Sequence, residues 1–331
     1  MLYITLLEAS IAILFLFSTL FVFNSPNMLR NIPQLICSGV YGILFYFFYY
    51  LSNHNDSPYL AHPYLFIFQK TSVPAFVFPL WSYVVCASQT VTDVLILPSS
   101  FLLQVFMDGL LIFSFFLGFE YIGYFFSLWT HTSESRYYII GAPVFFIFYH
   151  LFSGMLLSFF CRLTDHLVGI PDVSRSTLQT VITFFNELIR KSLASLVALI
   201  CLFTVIISSG LFYIFFGYYK PQLYVVGIIF TVIFIFTVIN FFDWKQNTGG
   251  NLISFFPLIG LSILQFLVVT LVFFDSDTNV FVLISLIINS LFTISVTTFA
   301  YYYTLKEHVS QSFKYISKPL INFKKRSNST D

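Results

Sequence analysis

Phe115-Phe116-Leu117-Gly118-Phe119-Glu120-Tyr121-Ile122-Gly123-Tyr124-Phe125-Phe126 is a run of apolar and aromatic residues interrupted by one carboxylate. Such a run belongs in hydrocarbon. A charge there costs roughly 2.5 kcal/mol or more unless it is protonated, paired or facing a cavity. The stretch therefore carries two messages: its neighbours define a membrane helix, and Glu120 marks a candidate functional site.

The rest of the chain extends the first message. Hydrophobic residues make up 58% of 331 positions and charged residues 9%, with a mean hydropathy of +0.88. Soluble chains carry about 25% charged residues because a water-facing surface needs them. Too few are present here to cover such a surface, so the surrounding solvent is lipid. The net charge of +1 excludes a strongly basic nucleic-acid binder. Phe (46) and Tyr (21) are abundant, but low-GC codon usage also enriches them, so aromatic content alone defines no site. Cys37, Cys86, Cys161 and Cys201 lack metal-ligand spacing, and no disulfide framework, metal or cofactor is expected. HExxH, P-loop, G-x-S-x-G and CxxC patterns are absent from the sequence.

A bilayer core takes about 20 helical residues. On that ruler an all-α polytopic bundle of about nine spans is expected: 4–23, 34–51, 74–96, 101–129, 139–160, 192–218, 223–242, 252–274 and 280–303. The first has no basic n-region and no A-x-A-type cleavage site, so it reads as a membrane helix rather than a removed leader. The third contains Pro74, Pro79, Gln89 and Asp93; re-entry or a broken helix would leave eight spans. The fourth is long enough to tilt, kink or project. With nine spans, twelve Lys/Arg residues fall on the side of the C-terminus and only Lys70, Arg136 and Lys220 on the other. That asymmetry puts the C-terminus in the cytoplasm, with the cell membrane as the expected location.

Four regions follow: a first transmembrane group (1–160), a connector (161–191), a second group of four helices (192–304) and a basic tail (305–331). In the connector Leu178, Val181, Ile182, Phe185, Leu188 and Ile189 recur at helical spacing, as in an amphipathic helix lying on the inner face. In the tail Val309, Phe313, Ile316 and Leu320 alternate with basic residues, a pattern suited to anionic headgroups.

Chemistry concentrates in the hairpin 101–160. Residues equally far from its turn near Glu134-Ser135 lie at similar depth, which sets Glu120 level with Tyr149-His150. A Glu–His contact would relieve both buried groups. Two roles stay open for Glu120, a proton-transferring or ligand-facing acid and a hydrogen-bonded packing residue. Gly123 and Ser127 share its face at i+3 and i+7, where small residues admit a neighbouring helix. Gln104 and Asp108 form a second polar pair. Asp108 lies about 120° around the axis and about 18 Å along it from Glu120, so the two carboxylates cannot form one dyad. Asp108 either binds a neighbouring helix or lines another part of a cavity. Gln265 and Asn289, mid-span, read as interhelical hydrogen-bond partners.

Asp108, Glu120-Tyr121-Ile122-Gly123, Ser127-Leu128-Trp129-Thr130-His131 and Tyr138-Ile139-Ile140-Gly141-Ala142-Pro143 together resemble the carotenoid biosynthesis membrane proteins. These include the carotenoid hydratases and, more loosely, the membrane lycopene cyclases. The resemblance covers about sixty of the 331 residues. Ser127 stands where that family has glycine, and His131 where it has a second aromatic. The resemblance implies protonation of an isoprenoid double bond by a membrane-embedded acid, with water or an internal alkene trapping the cation. Glu120, His150 and Asp108 are then the catalytic candidates, and Gly123, Ser127, Trp129, Tyr149 and Gln104 the substrate-binding ones. Membrane lipid and a hydrophobic isoprenoid are the expected partners. A proton-coupled or small-molecule carrier and a non-catalytic membrane scaffold are the alternatives.

Overall fold

A computed structural model describes residues 2–25, 27–52, 64–68, 71–96, 99–128, 138–139, 142–169, 177–216, 228, 231–237, 239–240, 255–275 and 278–327. Eight helices dominate: α1 (Leu2–Phe23), α2 (Met28–Ser52), α3 (Val77–Leu95), α4 (Phe101–Phe125), α5 (Val144–Val168), α6 (Thr177–Phe216), α7 (Phe255–Val272) and α8 (Val280–Ser327). Two short antiparallel hairpins, Tyr64–Phe68 with Thr71–Pro74 and Tyr138–Ile139 with Ala142–Pro143, precede α3 and α5. The hydropathy pattern did not announce them.

Among the described residues six helices are long and apolar enough to cross a membrane, and they support a multi-pass helical membrane bundle. Their outer faces carry Leu6, Leu16, Ile200, Ile288 and Leu291, each about half exposed, which inverts the surface of a soluble protein. The expected count of nine is not reached among the described residues. The apolar helix Ile259–Val272 is shorter than a span, and the stretch 223–242 falls largely outside the described residues.

The third expected span explains itself physically. α3 is one uninterrupted helix, not a broken one, because Pro74 ends the preceding strand and Pro79 sits in the first turn, where its missing N–H costs nothing. Fifteen of its nineteen residues are buried. Surrounded by α1, α2, α4, α7 and α8, it needs no lipid-compatible exterior and can carry Ser88, Thr90 and Thr92. The Ser88 and Thr90 hydroxyls donate to carbonyls one turn back at 2.8 and 2.7 Å, while that of Thr92 turns to a neighbouring helix.

α4 ends earlier than its hydropathy implies. Ser127 adopts φ +49°, Ser127 N–H donates to the Tyr124 carbonyl at 3.0 Å, and Leu128 N–H reaches back to Gly123 at 2.8 Å. This is a Schellman stop with serine at the left-handed position that glycine usually takes. Ser127 is thus off the helix and does not share the Glu120 face. Pro143 immediately precedes α5 rather than lying inside it.

The connector also differs from expectation. Residues 161–168 complete α5, and 177–191 run without a break into the sixth span as one 40-residue helix. Its apolar stripe (Leu178, Phe185, Ile189) faces outward while Glu187 and Lys191 are buried. The polar side has partners inside the bundle, so the segment is turned towards them. The tail is likewise continuous with the last span, α8 running to Ser327.

Close helix contact relies on glycine, as at Gly42 and Gly154. A Cβ at Gly42 of α2 would lie 2.3 Å from the Trp81 indole of α3, and one at Gly154 of α5 would lie 2.9 Å from Ile112 of α4. Gly42→Ala is expected to destabilise the bundle by about 1–3 kcal/mol through overpacking against a large rigid ring. Thermal unfolding in detergent reads this, and an unchanged midpoint would mean that α2 and α3 do not meet at Trp81.

Candidate functional site

The most ordered polar feature is a charge cluster at the end of the bundle where α2 and α4 begin and α3 and α5 finish. Arg162 (α5) donates from Nε to Asp108 Oδ2 (α4) at 2.7 Å, from Nη1 to Asp93 Oδ1 (α3) at 2.7 Å and from Nη2 to Thr92 Oγ1 at 2.6 Å. Gln104 Oε1 accepts a further bond from Nη1 at 3.1 Å. The planar guanidinium, with donors fixed in a fork, suits this radial role. Asp108 is completely buried; it also accepts from Thr92 Oγ1 at 2.6 Å and Ser158 Oγ at 2.5 Å.

Arg30 (α2) links this centre to a second one, donating to Asp93 at 3.4 Å and Asp165 at 2.7 Å. Lys191 (α6), fully buried, donates to Asp165 at 2.5 Å and to the Cys161 carbonyl at 2.9 Å. Arg190 joins Asp165 at 3.1 Å and also pairs with Glu187. Four cations thus meet four carboxylates, tying α2 through α6 together without net charge. In low dielectric such groups are tolerated only when paired and hydrogen-bonded.

Glu120 sits on α4 twelve residues, or about three helical turns, beyond Asp108 and is 1% exposed. His150, fully buried, occupies an aromatic cage of Phe45, Trp81, Phe116 and Phe146, with ring centroids 4.1–5.9 Å away. Its Nδ1 is 2.8 Å from the Phe146 carbonyl, and Nε2 is 3.5 Å from Tyr46 Oη. A carbonyl only accepts, so in the neutral ring Nδ1 bears the proton and Nε2 accepts from tyrosine. Both ring nitrogens thus lie within reach of groups other than Glu120.

The remaining sequence candidates separate. Gln104 and Asp108 belong to the charge cluster; of the two uses open to Asp108, binding neighbouring helices is the one observed. Gly123 is buried, and its carbonyl closes the α4 stop. Ser127 is exposed in that turn. Tyr149 is buried against Tyr49, ring centroids 6.0 Å apart. Trp129 lies outside the described residues.

On another side of α4, Leu110, Phe113, Ser114 and Leu117 line a cleft of about 440 Å³ with Ile147, Phe148, Phe234, Phe292 and residues of α8. Its size is typical of ligand pockets. Ser114 Oγ donates to Asn289 Oδ1 at 2.7 Å, and Gln265 Nε2 donates to the Ser114 carbonyl at 3.0 Å. Ser290 Oγ completes the chain on Gln265 Oε1 at 2.8 Å. Gln265 and Asn289 therefore do join helices. Among the described residues no cluster of three His, Cys, Asp or Glu side chains could hold a metal.

No protein-family model, curated protein or solved structure matches the chain.

Sequence reading missed the charge cluster, although its signal was present. Arg30, Arg162, Arg190 and Lys191 are among the twelve basic residues that the charge asymmetry places in loops on the side of the C-terminus, whereas their side chains are only 0–14% exposed. Asp93, Asp108 and Asp165, spaced at helix ends of the same depth, were the hint. Arg162→Met is expected to cost about 3–5 kcal/mol by stranding the buried Asp108 carboxylate. Asp108→Asn, which keeps hydrogen-bonding capacity, should cost less. Unfolding midpoints in detergent rank the two; the reverse order would remove Arg162 from the centre of the cluster.

Proposed function

We propose that this membrane bundle acts on a lipid-soluble isoprenoid or polyene, with Glu120 as the acid that protonates a carbon–carbon double bond. The observation that carries the reading is a nearly inaccessible carboxyl on the helix that also walls an apolar cleft. Glu120 lies one turn beyond Leu117, the last α4 residue of that cleft. Phe113, Phe148 and Phe292 supply aromatic faces of the kind that favour a developing cation.

The step balances simply. The carboxyl O–H bond breaks, a C–H bond forms, and the alkene becomes a carbocation beside a carboxylate. Water then adds to the cation and the released proton restores the acid, giving net hydration; an internal alkene in place of water forms a C–C bond and a new cation, which loses a proton to the carboxylate to give a ring and the restored acid. Asp108 takes no part, because its oxygens are engaged by Arg162, Thr92 and Ser158. The residues that carry the resemblance to carotenoid biosynthesis membrane proteins include Glu120 itself, which supports the same reading.

Glu120→Gln should abolish conversion of isoprenoids in membranes of an expressing host, read by mass analysis of the lipid extract. The unfolding midpoint should remain within about 1 kcal/mol-equivalent of wild type, since the amide fills the same space. Retained product with intact protein would remove the acid role. Lost solute flux in proteoliposomes with no altered lipid would replace the enzyme with a carrier.

A further inference from the structure

Helices α1, α2, α4 and α5 have 22, 25, 25 and 25 residues. At 1.5 Å per residue they are roughly 33–38 Å long, against a hydrocarbon core of about 30 Å. Only a few ångströms are left over at either end. Asp108 lies seven residues beyond the start of α4, and Arg162 six residues before the end of α5. Both are therefore about 9–10 Å along their helices from that end of the bundle. The turns there carry Asn24, Ser25, Asn27, Ser99 and Ser100, residues suited to headgroups and water.

The outward face of α6 leads to the same level. Leu178, Val181, Ile182, Phe185 and Ile189 are 46–69% exposed and continue the stripe of Leu193, Leu196 and Ile200 on the same helix. No charged side chain is exposed from Thr177 to Ile200, because Glu187, Arg190 and Lys191 are held in ion pairs on the inward side. At the same end of the bundle Leu167 and Val168 close α5, 72% and 71% exposed. α6 has 40 residues, roughly 60 Å, so one of its ends must leave a bilayer that is about 40–45 Å thick with its headgroups. Were it the Leu178 end, all these apolar side chains would stand in water, a patch of the kind that demands a partner. A protein partner's footprint ends in a polar rim. This stripe instead runs unbroken into the lipid-facing surface of the span, and lipid is the occupant that continuity selects.

We infer that the outward face of α6 from Leu178 to Ile189 binds acyl chains, and that the Arg162–Asp108 pair lies inside the bilayer, beneath the headgroups of the leaflet at that end. The segment is then an immersed, transverse part of a span, unlike the surface-lying helix its periodicity suggests. The charge cluster becomes an intramembrane ion network. Each of its cations accordingly has a carboxylate within 4.0 Å, water not being at hand to replace one. Asp93, the most exposed member at 38%, is two residues from the end of α3 and so nearest the headgroups. Nothing in this depends on the role of Glu120.

The test uses the full wild-type chain in phosphatidylcholine liposomes containing a phosphatidylcholine with a diazirine on one acyl chain. After photolysis, peptide mapping should find adducts on Leu178–Ile189 in yield comparable to those on Leu193–Ile200. Hydroxyl radicals generated in the water phase should spare Phe185. Phe185→Asp should lower the unfolding midpoint in these liposomes, as Ile200→Asp does, because either places a carboxylate among acyl chains. Acyl labelling that falls to background below Leu193, with Phe185 oxidised, would overturn the inference by putting the segment in water. Protection of 178–189 from both reagents, with cross-links between chains, would overturn it in favour of a second copy. An unchanged midpoint in Phe185→Asp beside a lowered one in Ile200→Asp would also count against it.

Discussion

One guanidinium organises the bundle. Arg162 reaches two helices, α3 and α4, besides its own α5, and the Asp108 carboxylate it faces is shut off from solvent. Two charges taken out of water lose several kcal/mol each, and only close, fully hydrogen-bonded pairing recovers it. The energetic consequence is geometric. α3, α4 and α5 must meet with their ends in register, since a slip of one turn would leave a charge stranded in apolar protein. Arg30 and Lys191 extend the same constraint to α2 and α6.

With that end fixed, the part of the core around His150 can be largely aromatic. Phe45, Tyr46, Trp81, Phe116 and Phe146 close around His150 without leaving its nitrogens unsatisfied. Interlocked rings resist small shifts because edge-to-face geometry is directional. α4 is the element common to everything. Its lower part enters the charge cluster, its middle walls both the His150 cage and the cleft, and its upper part carries Glu120. A helix with polar duties on several sides has no single apolar stripe, which is why it reads as uniformly hydrophobic.

Membrane residence and the helices α1, α2, α4 and α5 were legible before any coordinates, as was the placing of Glu120, His150 and Asp108 inside the bundle, where all three are buried. What misled was the assumption that charge marks a loop. Arg162 closes an apolar run, so it reads as the start of a connector; it is the last turn but one of α5, turned inwards. The stripe 178–189 reads as a helix lying on a surface with its polar side in water. Its polar side has carboxylate and cation partners within the bundle instead. Ser127 hides an ending in plain view, because only glycine or asparagine would have advertised the left-handed turn.

Composition alone determined the solvent: with 9% charged residues a chain of this length has nothing with which to face water. Periodicity and length determined that helices would cross that solvent, because backbone groups in hydrocarbon must bond within their own segment. Which charges pair, and which side of α4 opens into a cleft, were decided only in three dimensions. Asp108 and Arg162 are 54 residues apart, Ser114 and Asn289 are 175 apart, and no local pattern couples them. Each pair exists because burying one polar group makes a partner from another helix obligatory, and packing selects which partner is within reach.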